Sequence, residues 1–214
     1  MKKVELTPIE KDALIETASI CAGNVSTVLS NLVNEPIDLK VSEARLVTIE
    51  EIKNLIAKGE KIVIGPKQMV VEIYAPLTGN LIGNMLTLFP KDNAYLLLDL
   101  MNKKKLGTTK LLGKKEMTKL KELGDAILSI YTNEIATFLG LKIKSSKSKI
   151  ISTFGELIMD FVLSGIDAKI KYALILRTDF SVITKVKGSF IVLLALESLD
   201  DFLDIIRKKV GEIG

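Results

Sequence analysis

The sequence predicts an α+β fold: an internally duplicated, pseudo-two-fold domain. Two long signature helices pack on an antiparallel or mixed sheet shared by the halves. Three observations predict it. A helix near the N-terminus carries Asp12, Glu16 and Ser19, spaced four and three apart, and Thr118, Glu122 and Asp125 repeat that spacing 106 positions later. Each half then runs in the same order, from long helix to short helix, two or three strands and another short helix. Residues of hydrophobic type make up 48% of 214, enough for one substantial core. The repeats are about 1–106 and 107–214 of a single domain. Strands from both halves in one sheet would bury two edges that are otherwise open.

The first helix is signalled by Thr7, Pro8 and Glu10: an N-cap, a proline suited to the first helical position and a capping-box acid. Leu14, Ala18, Cys21, Val25, Val28, Leu29 and Leu32 follow in steps of three and four, with an end expected near Asn34. Ile37–Val47 reads as a short extended piece and a turn. Thr48 and Glu51 form a second capping box, before Ile52, Leu55 and Ile56, with Gly59 closing that helix. Met69–Tyr74 and Leu81–Leu88 read as strands around a turn at Pro76–Asn80, and Asp92 as the cap of a short helix.

Asn102–Gly113 reads as the polar, lysine-rich connection, followed by a helix from about Lys115 to Leu139 that Gly140 stops. Its apolar stripe is Leu120, Leu123, Ile127, Tyr131, Ile135 and Phe138. Thr153–Leu163 reads as helical. Tyr172–Leu176, Phe180–Lys185 and Ser189–Leu196 read as strands, and Ser198 and Asp201 cap a last helix ending at Gly211.

Composition narrows the chemistry. The chain has no histidine and one cysteine, which removes histidine bases, His-containing metal sites, cysteine-cluster zinc sites and intramolecular disulfides. No glycine-rich phosphate loop is present. The longest apolar runs, such as Phe190–Ala195, fall short of the ~20 residues of a membrane span, and Met1–Leu6 lacks the apolar core of a secretory signal. The expectation is a cytoplasmic protein without membrane insertion. Residues 102–149 hold twelve lysines against four carboxylates, a solvated face or a lure for an acidic partner. Nucleic acid is not expected, because aromatics are 5% and tryptophan is absent.

On an α-helix at ~100° per residue, Asp12, Glu16 and Ser19 lie nearly opposite the apolar stripe, and Thr118, Glu122 and Asp125 do the same on the second helix. The bland explanation is the solvated side of two amphipathic helices. Asn24 lies about 80° further round from Glu16 and is not favoured as a functional amide. Cys21 falls on the apolar stripe and reads as core.

The segments Asp12–Asn24 and Glu122–Ser129 resemble the paired signature helices of the CheC, CheX and FliY phosphatases of chemotaxis. That pattern is Asp or Ser, three residues, Glu, two residues, Asn, and about twenty-two residues later a Pro. The resemblance spans nearly the whole chain, including Leu86–Pro90, and the two-copy layout is similar to CheC. It implies docking on a phosphorylated CheY-type receiver. The Glu contacts the receiver, and the Asn amide orients water for in-line attack on the aspartyl phosphate. Magnesium is expected on the receiver and no intrinsic cofactor on this chain. Phosphoryl transfer of this kind needs positioning more than covalent chemistry.

Carried over by position, Glu16 and Glu122 match the acid, with Asp12 and Thr118 leading as partner-binding residues. The Asn positions hold Ser19 and Asp125, and the Pro positions hold Ser42 and Ser148. Serine is shorter than the amide, and an ionised aspartate accepts but does not donate. The expectation is weakened hydrolysis, with Glu16, Ser19, Glu122 and Asp125 as the catalytic set. Thr153–Asp160 resembles the CheC helix that binds the receptor deamidase CheD, which makes Gly155 and Asp160 partner-binding candidates. The alternative to a slow phosphatase is a non-catalytic adaptor or a flagellar-switch-related structural protein.

Overall fold

A computed structural model describes residues 6–58, 67–80, 82–158, 171–182, 186–196 and 199–213. Seven strands form one antiparallel sheet: β1 (Ile37–Thr48), β2 (Met69–Gly79), β3 (Ile82–Pro90), β4 (Ile143–Ser145), β5 (Lys149–Phe154), β6 (Tyr172–Val182) and β7 (Val186–Leu196). Their order is β1-β6-β7-β3-β2, with β4 and β5 both on the outer edge of β2. Exchanging β1 with β4 and β5, β2 with β6 and β3 with β7 reverses this order, as two repeats meeting at the β3·β7 pair would. Among the described residues the helices are α1 (Pro8–Val33), α2 (Ile49–Ala57), α3 (Lys91–Met101), α4 (Lys114–Leu139) and α5 (Leu199–Ile213).

The two long helices are 26 residues each, and their burial repeats with the sequence offset. Leu14, Thr17, Ala18, Cys21, Ala22, Val25, Leu29 and Val33 are buried on α1, and on α4 Leu120, Leu123, Gly124, Ile127, Leu128, Tyr131, Ile135 and Leu139 are buried at the corresponding positions. Both helices end in the left-handed region, at Asn34 (φ 58°) and Gly140 (φ 65°), again equivalent positions. The strands agree: the first nine positions of β2 and β6 alternate in burial identically.

The core lies between these helices and one sheet face. Val71, Ile73, Ala75 and Leu77 from β2, and Leu174, Leu176, Phe180 and Val182 from β6, join the helix stripes. The hydroxyl of Tyr131 donates to Thr178 Oγ1 at 2.9 Å, satisfying both polar atoms inside it. At Gly124 α4 comes so close to β2 that an added Cβ would stand 2.6 Å from Ile73 side-chain atoms. On the other face, α2 contacts both β1 and the 3-10 turn Gly155–Leu157, which leave opposite edges of the sheet.

Several elements depart from the sequence reading. Residues 37–48 form one strand, with a bulge between Val41 and Glu43 in place of the expected turn. The bulge occupies the repeat position at which the second half breaks into β4 and β5. Neither short strand is expected from the sequence: lysines and serines fill residues 144–149 between and around them, and Thr153 and Phe154 read as helical. β2 runs on through Pro76. The Ser146 N–H donates to Pro76 O at 2.8 Å, so the imino nitrogen faces the gap between β5, which ends opposite Tyr74, and β4, which begins opposite Leu77. No ladder donor is needed there.

Residues 172–182 are a single strand, not two. Thr153 and Phe154 belong to β5, and Gly155–Leu157 form a 3-10 turn, so the helix expected from Thr153 is absent over these residues. Asp92 lies in the first turn of α3, whose N-cap is Pro90. Leu32, assigned to the apolar stripe, is 44% exposed. The last helix continues past Gly211 to Ile213. Gly59, Leu81, the rest of the expected 153–163 helix, residues 183–185 and the Ser198 cap lie outside the described residues.

Two buried carboxyls set opposite pH dependences. Asp99 on α3 is fully buried and accepts from the N–H groups of Gly107, Thr108 and Thr109 and from the Thr109 hydroxyl, at 2.6–2.9 Å. Burial works against its charge, but these donors prevail and hold its pKa below the ordinary value. It fastens the connection leading into α4. Glu72 on β2 is fully buried with neither oxygen hydrogen-bonded among the described residues. Its cross-strand neighbours are Leu88 and Ile151, and burial pushes its pKa up to about 8.

Helix propensity favours Gly→Ala by ~1 kcal/mol, but overpacking against the fully buried Ile73 outweighs it. Gly124→Ala is therefore expected to lower stability by roughly 1–3 kcal/mol, read as a shift of the denaturant midpoint. Asp99→Ala removes four charge-assisted bonds and is expected to cost on the order of 2–3 kcal/mol at pH 7. Because the folded pKa of Asp99 is depressed, its contribution is present above the unfolded pKa and is lost in acid.

Glu72 has the opposite sign. Its folded pKa lies above the unfolded 4.5, so stability is greatest below that value and declines as pH rises towards 8. Glu72→Met is expected to remove this decline and to unfold at higher temperature than the natural chain at pH 8, as calorimetry across pH would show.

Candidate functional site

The first helix is held rigidly at its start. The Thr7 N–H donates to Glu10 Oε2 at 2.7 Å and the Glu10 N–H to Thr7 Oγ1 at 3.3 Å, closing the capping box. Arg207 on α5 adds its Nε–H to Glu10 Oε1 at 2.9 Å, tying the last helix to the first. Burial opposes ionisation of Glu10, but the Thr7 and Arg207 donors outweigh it and lower its pKa. α4 begins without a side-chain cap, at Gly113. The two helices pack together, and Asn24 Nδ2 donates to Glu134 Oε1 at 2.7 Å between them.

Packing the apolar stripes on the sheet turns the polar stripes outward. Asp12, Glu16 and Ser19 are exposed, as are Thr118 and Glu122, and the Asp125 side chain is 45% exposed. The six residues therefore form two outward triplets at equivalent places on the two helices. The groups at the third positions are already engaged within their own helices. Ser19 donates its hydroxyl to Ile15 O at 2.7 Å, and Asp125 Oδ2 pairs with Lys121 Nζ at 2.8 Å. Thr118 donates to Lys114 O at 2.9 Å.

The remaining candidates sit elsewhere. Ser42 lies at the β1 bulge, 3.4 Å from Arg177 O, and Ser148 is buried beside β5 with its hydroxyl unpaired among the described residues. Gly155 is buried, its N–H donating to Gln68 O at 2.9 Å, and Asp160 lies outside the described residues. Asn24 is occupied by Glu134. Burial, and secondarily the charge of Glu134, pushes the Cys21 thiol up to about 12, which leaves it as packing.

Among the described residues, no cluster of three or more His, Cys, Asp or Glu is placed to hold a metal ion. α1 is long and apolar enough by composition to cross a membrane, but its apolar side is packed against β1, β6 and α4.

Two exposed side chains beside the first triplet escaped the sequence reading. Ile9 is 64% and Ile20 59% exposed. At ~100° per residue both lie within about 40° of Glu16 round the helix. Their signal was available: apolar residues out of phase with the buried stripe.

The two outward triplets, the paired long helices and the seven-stranded sheet define an α+β fold of the CheC, CheX and FliY type. No family model matches the sequence. Thermotoga maritima FliY is similar in structure over 95% of this chain and 98% of its own, at 18% identity and a TM-score of 0.74. A structure of the Helicobacter pylori FliG–FliM complex is similar over 93% of this chain and 100% of its own, at 9% identity and a TM-score of 0.62. One of the CheX–CheY–BeF3–Mg2+ complex from Borrelia burgdorferi is similar over 85% and 97%, at 14% identity and a TM-score of 0.50.

The Lys121–Asp125 pair is an exposed i,i+4 contact, worth about 0.3–0.5 kcal/mol. Lys121→Met is expected to leave the thermal midpoint within about 2 °C, which would show that the pair is not there for stability.

Proposed function

We propose that this chain is a CheC-like chemotaxis protein of the cytoplasm, one domain of two repeats. It docks a phosphorylated CheY-type receiver through its signature helices and holds it more effectively than it hydrolyses it. The observation that carries this reading is the contrast within each triplet. Glu16 and Glu122 are exposed on matching turns and available to a partner, whereas Ser19 and Asp125 are committed to their own helices. Its fold is shared with CheX in a complex with CheY, which supports a receiver as the partner.

Hydrolysis of an aspartyl phosphate requires a water held in line with the scissile bond while charge is neutralised around the phosphoryl group. In the proposed complex the receiver brings the phosphoryl group and its magnesium, and this chain brings a carboxylate for docking. Ser19 has given its only proton to Ile15 O and can offer water acceptor lone pairs alone, from a short side chain. Asp125 would add negative charge beside an anion, softened by Lys121. Both arrangements support slow turnover.

A second reading is a flagellar-switch role. The favouring observation is that FliY and the FliG–FliM structure match this chain along almost their entire lengths. Docking of CheD at the Gly155–Asp160 segment remains part of the first reading, and Asp160→Lys is its test, by loss of co-purification with that deamidase.

The main test follows loss of phosphate from a CheY-type receiver. The natural chain at stoichiometric amounts is expected to accelerate the loss by less than about tenfold. A positioned group is worth on the order of 10²-fold, so Ser19→Asn and Asp125→Asn made together are expected to raise the rate at least tenfold. Alanine in place of the glutamate on the helix that docks the receiver, Glu16 or Glu122, should cancel the gain. Fast turnover by the natural chain, unaffected by either glutamate substitution, would refute the proposal.

A further inference from the structure

We infer that the two signature helices are unequal, and that the receiver seats on α1 alone, anchored by Ile9 and Ile20 beside Glu16. This rests on the receiver-docking reading and adds which face is used. The buried sides of α1 and α4 match position by position, but the outward sides do not. On α1 two isoleucines, 64% and 59% exposed, lie beside Asp12 and Glu16, and neither carboxylate has a partner among the described residues. On α4 Lys115 stands at the position of Ile9 and Ala126 at that of Ile20. There Asp125 pairs with Lys121 at 2.8 Å and Lys119 donates to Asn102 Oδ1, while Glu122, like Glu16, has no partner among the described residues.

An interface draws its affinity from a few apolar anchors that exclude water, and a carboxylate buried among them needs a cation opposite. The α1 face offers both elements, so the receiver surface it fits carries an apolar patch bordered by a lysine or arginine. Docking on α4 would gain little apolar area. It would also desolvate the Lys121–Asp125 pair, which now gains from water. The Pro8 start, the capping box and the Arg207 clamp on Glu10 hold the anchored end of α1 ready to bind.

The test is calorimetric titration with the CheY-type receiver of the same source organism, activated by beryllofluoride and magnesium. One receiver is expected per chain. Ile20→Lys should weaken binding at least tenfold and Ala126→Lys less than twofold, with both variants keeping the thermal midpoint of the natural chain. Two receivers per chain, an unchanged affinity for Ile20→Lys, or an equal loss for Ala126→Lys would overturn the one-face inference and leave receiver docking standing. No binding by the natural chain would overturn the receiver reading and this inference with it.

Discussion

Burial of two matched apolar stripes against one sheet face fixes everything outward of them. Eight buried positions on α1 recur on α4, and each large aliphatic side chain among them contributes about 1.5–3 kcal/mol by leaving water. Rotating either helix by half a turn would expose that set and bury Glu16 or Glu122 without a partner. The penalty has two parts of the same sign, lost apolar burial and an unpaired buried charge. The direction of the acidic stripes is thus a consequence of packing and costs the helix surface nothing. This leaves the outward residues free of packing constraint, and at the equivalent turns they differ: Ile9 against Lys115 and Ile20 against Ala126.

The sheet makes the arrangement stiff. The β3·β7 pair sits at its centre, and the strands on either side follow in matching order. The connection between the halves is not a loose tether, because Asp99 gathers three backbone N–H groups and a hydroxyl of the 107–109 segment. The chain ends are fastened as well, α5 to α1 through Arg207 and Glu10. A receiver bound at the α1 face would therefore meet a surface that pays little ordering entropy on association.

Much of this was legible in the residues, for physical reasons that can be named. The capping box at Thr7 and Glu10, the stops at Asn34 and Gly140, and the outward setting of Glu16 and Glu122 follow from local geometry and a 3.6-residue period, and the structure has them as read. The strands were harder. β4 and β5 hide in a lysine- and serine-rich stretch because an edge strand needs only one paired side and charged residues discourage further pairing. Pro76 looked like a turn because nothing local reveals that its missing N–H falls in a gap between two partners. Glu72 lies in a run of strand-forming residues, and its burial depends on elements distant in sequence. The engagement of Ser19 and Asp125 was half legible: an i−4 carbonyl and an i−4 lysine are standard partners on a helix, but a spacing does not say that the bond is made.

Catalysis and docking separate because they make different demands on one helical face. Docking tolerates any outward carboxylate with apolar neighbours, since desolvation and charge matching are spread over the whole contact. Water orientation requires one donor or acceptor at one place, within a few tenths of an ångström of the attacking trajectory. If the receiver docks as proposed, Ser19 would have too short a reach and Asp125 the wrong charge, and each would have to release its intrahelical partner before it could act. The released bond is worth only about 1 kcal/mol, so it is not the main obstacle. Geometry is, because a serine oxygen stands closer to its own backbone than an asparagine amide would. On the proposed docking reading, a face with serine in place of the amide but with its acid and its apolar flank would retain the terms that set affinity and forfeit the one that sets rate.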